Sequence, residues 1–284
     1  MKRLIIIVSA LTASSAIARP VTNLSRSGNK VYDQRAVMFA NTCQPATQSA
    51  DLDINNVRTK ILNGGDMWWD LNNPKYEIPK VTDPNAVRKH SLFSGAIWIG
   101  GRDNGGNLKL AAMTYRQRGS DFWPGPLETT TAATDPLRCE AYDKMWKITR
   151  DELEVAQSSG WTDLSNAIRE WPAGKNRAMK IGSETESLAP FYDNDGDPTD
   201  YNPVNGDYPV LDDARDPVDN TVDKQPDMFI WWVYNDKGNI HSETQGQPIG
   251  VECQTTAFAF ATNDEVNNMT FYSTKIYNRG FTTL

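Results

Sequence analysis

The chain of 284 residues carries 29 basic against 36 acidic side chains, a net charge of −7 and a pI near 5.0, which excludes a generally basic surface for nucleic acid. Nine Trp, ten Tyr and nine Phe supply a sizeable core and exclude wholesale disorder. Sixteen Pro, nineteen Gly and a mean hydropathy of −0.58 point to many turns and few long helices, and two His with three Cys leave little material for a transition-metal site.

Lys2 and Arg3, the apolar run from Leu4 through Leu11, and Ala16-Ile17-Ala18 form the three parts of a secretory signal peptide over 1–18, with cleavage expected after Ala18. That run is too short, and too interrupted by Ser and Thr, for a membrane span of about 20 residues. No other stretch is apolar for long enough to span a bilayer. An exported chain can hold disulfides. Cys43, Cys139 and Cys253 allow at most one intrachain bridge, and isolated buried cysteines are an equal alternative.

Residues 19–54 read as an extended lead-in. From Asn55 to Leu62, Val57, Thr59 and Ile61 alternate with Arg58 and Lys60, the pattern of a half-buried strand. Ser91–Gly100 and Leu108–Tyr115 read as two strands joined through Asp103-Asn104-Gly105-Gly106-Asn107, whose Gly and Asn suit a tight turn. Ile97 and Ile99 share a face, which places Trp98 on the other side of a central strand and predicts that it is core. A helical insertion is expected at about 140–172, where Thr149 and Glu152 have capping-box spacing and Pro172 ends the run. Met228–Tyr234 is strongly apolar, with Trp231 expected in the core. A turn at Asn235–Asn239 and a return strand from Ile240 follow, and Gly250–Thr262 and Asn268–Tyr277 complete the strands. The units around 91–115 and 228–245 look alike, as an internal duplication would. The fold class is mostly β: an antiparallel β-sandwich-like module over 55–284, with the short helical insertion and a long Asp-rich loop at about 191–227.

That loop is the one segment with specific chemistry. Between Asp193 and Asp227 lie eleven Asp, no Glu, and Arg215 and Lys224 as the only bases, a local charge of −9. Asp193, Asp195 and Asp197 stand at alternate positions, the spacing with which short carboxylates wrap around Ca²⁺. The Thr199 carbonyl and Asp200 could complete the ligand set. The pattern departs from an EF-hand and is closer to the DxDGD loops of repeat-type calcium modules. Without a cation, carboxylates this dense repel one another.

Catalytic signatures are missing: there is no GxSxG, HExxH, P-loop or GxGxxG, and His90 and His241 stand alone. Trp68, Trp69 and Trp123 lie near loops and are the candidate sugar-contacting residues.

The strings Asn63-Gly64-Gly65-Asp66-Met67-Trp68-Trp69-Asp70-Leu71, Gly95-Ala96-Ile97-Trp98-Ile99-Gly100-Gly101, Asp121-Phe122-Trp123-Pro124-Gly125-Pro126, Asp193-Asn194-Asp195-Gly196-Asp197 and Ile230-Trp231-Trp232-Val233-Tyr234-Asn235-Asp236 resemble the N-terminal region of large secreted surface proteins of Bacteroidota, those carrying a type IX secretion sorting domain. The resemblance covers about 55–284 and implies a secreted or outer-surface location and an encounter with export machinery, not a reaction. This sequence shows no sorting domain before Leu284, so the expectation is either a fragment of a longer protein, truncated at its C-terminus, or a different export route. The expectation is a calcium-stabilised, non-catalytic structural or adhesive part of a larger exported protein, meeting other surface proteins or glycans. The alternative is a carbohydrate-binding or glycan-processing module.

Overall fold

The structure is a computed structural model describing residues 42–115, 119–174, 187–211 and 225–280. The expected signal peptide, much of the lead-in, and residues 212–224 of the Asp-rich loop lie outside the described residues.

The chain is mostly β and its paired strands are antiparallel. A first sheet joins β1 (Ser49–Leu52), β2 (Arg58–Leu62), β3 (Asp66–Met67), β4 (Tyr76–Glu77), β5 (His90–Leu92) and β6 (Gly95–Ala96). A hairpin of β7 (Trp98–Arg102) and β8 (Leu108–Ala112) follows. The second sheet has the order β10 (Trp146–Thr149), β13 (Met228–Asn235), β14 (Val251–Ala259), β15 (Phe271–Asn278), with β9 (Trp123–Pro124) also paired to β13. A small ribbon of β11 (Phe191–Tyr192) and β12 (Tyr208–Pro209) carries the Asp-rich loop between its strands. The described residues also form three α-helices, α1 (Pro136–Ala141), α2 (Arg150–Ser158) and α3 (Asn166–Arg169), and two short 3-10 turns at Pro203–Asn205 and Glu265–Asn268.

All eight residues of β13 are buried. The period of two explains how. Met228, Ile230, Trp232 and Tyr234 join a cluster with Leu52 and Ile61 of the first sheet, while Phe229, Trp231 and Val233 join Trp146, Ile148, Leu153, Ile168 and Trp171 on the other face. A strand covered on both sides reads as a continuous apolar run, which is the pattern of Met228–Tyr234. Cys43 and Cys139 are bridged across a Cα–Cα distance of 5.7 Å, tying the first described residues to α1. Cys253 is a buried free thiol, pushed up to about 12 by its burial.

Four expectations need correction. The segment 140–172 is not wholly helical: β10 lies within it, because Trp146 and Ile148 alternate with Lys147 and Thr149 and plug into the core beside β13. Thr149 ends this strand and caps α2 with the expected capping box, so strand passes into helix without a loop. The apolar run at 91–100 breaks into three short pieces. Gly95 passes so close to the Trp68 ring that a Cβ there would lie 2.6 Å from it. No return strand begins at Ile240, which is 81% exposed; the partner of β13 starts at Val251. The connection from 236 to 250 is organised around a buried carboxylate, so it differs from the short turn of β7–β8. Trp98 is 68% exposed, not core, since β7 belongs to a two-stranded hairpin that covers only one face. Trp231, at 2% exposure, is core as expected.

Candidate metal centre in the Asp-rich loop

The β11–β12 ribbon is fixed from below by aromatic packing. Tyr192 stacks on Tyr208 with ring centroids 4.9 Å apart, Trp161 stacks on the same Tyr208 at 5.5 Å, and the Tyr201 hydroxyl donates to the Ile168 carbonyl at 2.7 Å. Above this base the chain turns at Gly206, whose φ of +104° favours glycine and whose added Cβ would lie 2.9 Å from the Asn194 amide.

Within the loop, carboxylate oxygens of Asp193, Asp195 and Asp207 lie within 4.8 Å of one another. Two oxygens bound to one Ca²⁺ at about 2.4 Å can be at most about 4.8 Å apart, so the three groups can share an ion. Asp207 is 1% exposed and held in place by backbone donors: Oδ1 accepts from the Asn194 N–H at 3.0 Å and Oδ2 from the Asn202 N–H at 2.8 Å. Asp193 accepts from the Gly196 N–H at 2.8 Å, and Asp195 from the Asp197 N–H at 3.1 Å.

The other expected ligands are placed differently. Asp197 turns back on its own loop, accepting from both the Thr199 N–H at 3.0 Å and the Thr199 hydroxyl at 2.6 Å. Oδ1 of Asp200 is buried with no hydrogen-bond partner among the described residues. Burial, then the charges of Asp197 and Asp195, hold the Asp200 carboxyl above the usual carboxylate range. Asp207 is raised as well, first by burial and then by Asp193 and Asp195 against the lowering effect of its two backbone donors. Asp207 was missed in the sequence because it stands twelve residues beyond Asp195, across a turn whose closure only the β11–β12 pairing reveals.

The donors are all carboxylate oxygens, the chemistry of a hard cation rather than of zinc. The orphaned Asp200 oxygen and the raised carboxyls are what a bound cation would relieve. The residues fit Ca²⁺, with Asp193, Asp195 and Asp207 as the ones that would hold it.

A second acid-rich region lies in the core. Asp236 is fully buried and accepts from the N–H groups of Ile249 at 2.5 Å, Gly250 at 2.8 Å and Val251 at 2.8 Å. Asp121, also fully buried, accepts from the N–H groups of Ala112, Glu243 and Thr244 and from the Thr244 hydroxyl. Between them sits His241, with Nδ1 2.7 Å from the Leu110 carbonyl and Nε2 2.7 Å from the Asp236 carbonyl. The ring lies 3.8 Å from the Asp121 carboxylate and 3.9 Å from that of Asp236. Side chains this enclosed bind the fold together and reach no substrate.

Of the candidate sugar contacts, Trp69 and Trp123 are 1% and 2% exposed and offer no open ring face. Trp68 is half-buried, wedged edge-on between Tyr76 and Tyr272 at 5.8 Å from each, with its Nε1 donating to the Tyr272 hydroxyl at 2.9 Å. No helix among the described residues is long and apolar enough to cross a membrane. Comparison with protein-family models, with characterised proteins and with solved structures finds no match to this chain.

Proposed function

We propose that this chain is a secreted or cell-surface β-rich module whose Asp-rich loop is ordered by Ca²⁺, acting as a non-catalytic structural or adhesive part of a larger exported protein. The observation that carries the reading is the convergence of Asp193, Asp195 and Asp207 on a space one cation can fill. The Cys43–Cys139 bridge supports the exported location, since disulfides form and persist in oxidising compartments. The signal-peptide pattern at 1–18 and the resemblance to type IX secreted surface proteins point the same way. A non-catalytic role agrees with the placement of the two His: His241 is enclosed, and His90 stands in a short strand beside no nucleophile motif.

Ca²⁺ would supply charge neutralisation to a loop rich in carboxylate, joining the two ends of the β11–β12 connection. An ion that binds only the folded state, at about 100 times its Kd, adds about 2.7 kcal/mol. Thermal melts in millimolar Ca²⁺ and in excess chelator test the reading, with Asp193→Asn and Asp195→Asn combined as the control. The expected outcome is a higher Tm in Ca²⁺ for the unmutated chain and equal Tm values for the double variant. Equal melts in the unmutated chain would refute the calcium reading.

A further inference from the structure

We propose that the cleft where β3, β6 and the β7–β8 hairpin meet is a carbohydrate subsite, with Trp98 as its stacking platform. This goes beyond the calcium reading and needs no ion.

Trp98, Tyr115, Trp69, Asp66, Ser94 and Thr114 line a cavity of about 160 Å³. That is below the roughly 300–1,000 Å³ of drug-sized sites, so it suits one ring rather than an extended molecule. Trp98 is 68% exposed and Tyr115 45% exposed. Their orientation is fixed. The Trp98 indole Nε1 donates to the Met113 carbonyl at 2.7 Å, and the Tyr115 ring packs on Trp69 at 5.4 Å between centroids, inclined by 43°. An exposed aromatic anchored in this way loses little freedom on binding, the condition that favours a ligand platform.

The backbone beneath is strained. Trp68 (φ 72°) and Leu71 (φ 71°), neither of them glycine, occupy the left-handed region on either side of Trp69. Such strain persists where the surrounding structure imposes it, and it clusters at ligand sites.

The polar groups select the ligand class. Asp66, 3% exposed, brings a carboxylate, an acceptor, to the lining. Trp69 brings a donor: its indole N–H is buried with no acceptor among the described residues. A sugar presents an apolar C–H face to an aromatic ring, and its hydroxyls both donate and accept. An ammonium, the other partner that rings and a carboxylate attract, has donors only and would leave the Trp69 N–H unmet. The mixed lining therefore favours a neutral carbohydrate. The sequence hid this site, because a Trp between two Ile in an apolar run has the pattern of a core strand.

The test is calorimetric titration of the full chain with cellotriose, maltotriose and chitotriose at millimolar concentration, and with choline chloride as the cationic arm. Each is run in Ca²⁺ and in chelator, so that loss of the loop's ion is separated from loss of the sugar. Trp98→Ala, Trp98→Phe and Tyr115→Ala are compared, with far-UV circular dichroism confirming that each is folded. The expected result is saturable binding of at least one trisaccharide, weakened about tenfold or more by Trp98→Ala, an effect of about 1.4 kcal/mol, and retained by Trp98→Phe. Should Trp98→Ala fail to fold, the same loss is expected of Tyr115→Ala. Binding of none of the three sugars, equal binding by folded Trp98→Ala, or binding of choline alone would overturn the proposal.

Discussion

The molecule handles concentrated negative charge in two ways. In the core, Asp121 and Asp236 are fully buried, yet each is surrounded by backbone N–H groups, and His241 lies between them. In the β11–β12 loop, carboxylate oxygens of Asp193, Asp195 and Asp207 lie within 4.8 Å of one another, with two backbone donors on Asp207 and one each on Asp193 and Asp195. The core gives each carboxylate three or more protein donors; the loop gives each of its three only one or two. Density of acid alone therefore does not mark a cation site. What marks it is carboxylates that converge on one space with few protein donors for each.

The strongest way to test this contrast is to remove a core acid. Asp236→Ala leaves three buried N–H groups without their acceptor and the His241 ring short of one carboxylate. We expect a loss of about 3–5 kcal/mol by chemical denaturation, equal in Ca²⁺ and in chelator. If the loss depended on Ca²⁺, the two regions would not be independent.

Next in size is Asp207→Asn, which removes one carboxylate from the shared space. We expect most of the roughly 2.7 kcal/mol of Ca²⁺-dependent stability to disappear, read as the difference between melts with and without chelator.

A titration in pH gives a smaller effect. Asp200 and Asp207 have raised carboxyls, so the folded chain holds their protons more tightly than the unfolded chain does. Their penalty is present at neutral pH and is relieved as pH falls through the raised values toward the ordinary 3.8. Protons and Ca²⁺ compete for the same oxygens. The gap between melts in Ca²⁺ and in chelator should narrow from neutral toward about pH 5. A gap that widened would contradict the assignment of these acids to the ion. Smallest of all is Asp197→Asn. Its carboxylate is engaged with Thr199, so the Ca²⁺ shift should change by only a few tenths of a kcal/mol, about the worth of one exposed local bond. A large change would return the ligand set to Asp193, Asp195 and Asp197.

Much of the fold is written in local pattern. The run Met228–Tyr234 declares a strand buried on both faces, and Thr149 with Glu152 declares a helix start. The Asp193 and Asp195 pair is visible as alternate carboxylates. What escapes is whatever depends on distant partners. Trp146 and Ile148 alternate over four residues, too few to outweigh the helical signals beside them, and become a strand only because β13 is there to pair with. Trp98 follows the pattern of a core residue, and its exposure results from the hairpin having no second layer outside it among the described residues. Asp207 joins its loop through a turn. Cys43 pairs with Cys139 because the fold brings both into one small cluster with Trp123 while Cys253 sits in another with Tyr234 and Ile249, which no spacing could reveal.

The position of β13 in the chain has a consequence for how the molecule comes together. Both apolar clusters close on this strand, and it begins only at residue 228. Its pairing with Trp123 spans 112 residues. A polypeptide that emerges N-terminus first can bring Leu52 to Ile61 and Trp146 to Ile168, but neither cluster is complete until that strand has appeared. Contacts this far apart in sequence make folding slow, because the closure entropy of the intervening chain is lost before they form. If the chain is exported as proposed, such a delay would help its leading segments pass before they pack, with both clusters completed only when the last fifth of the sequence has arrived.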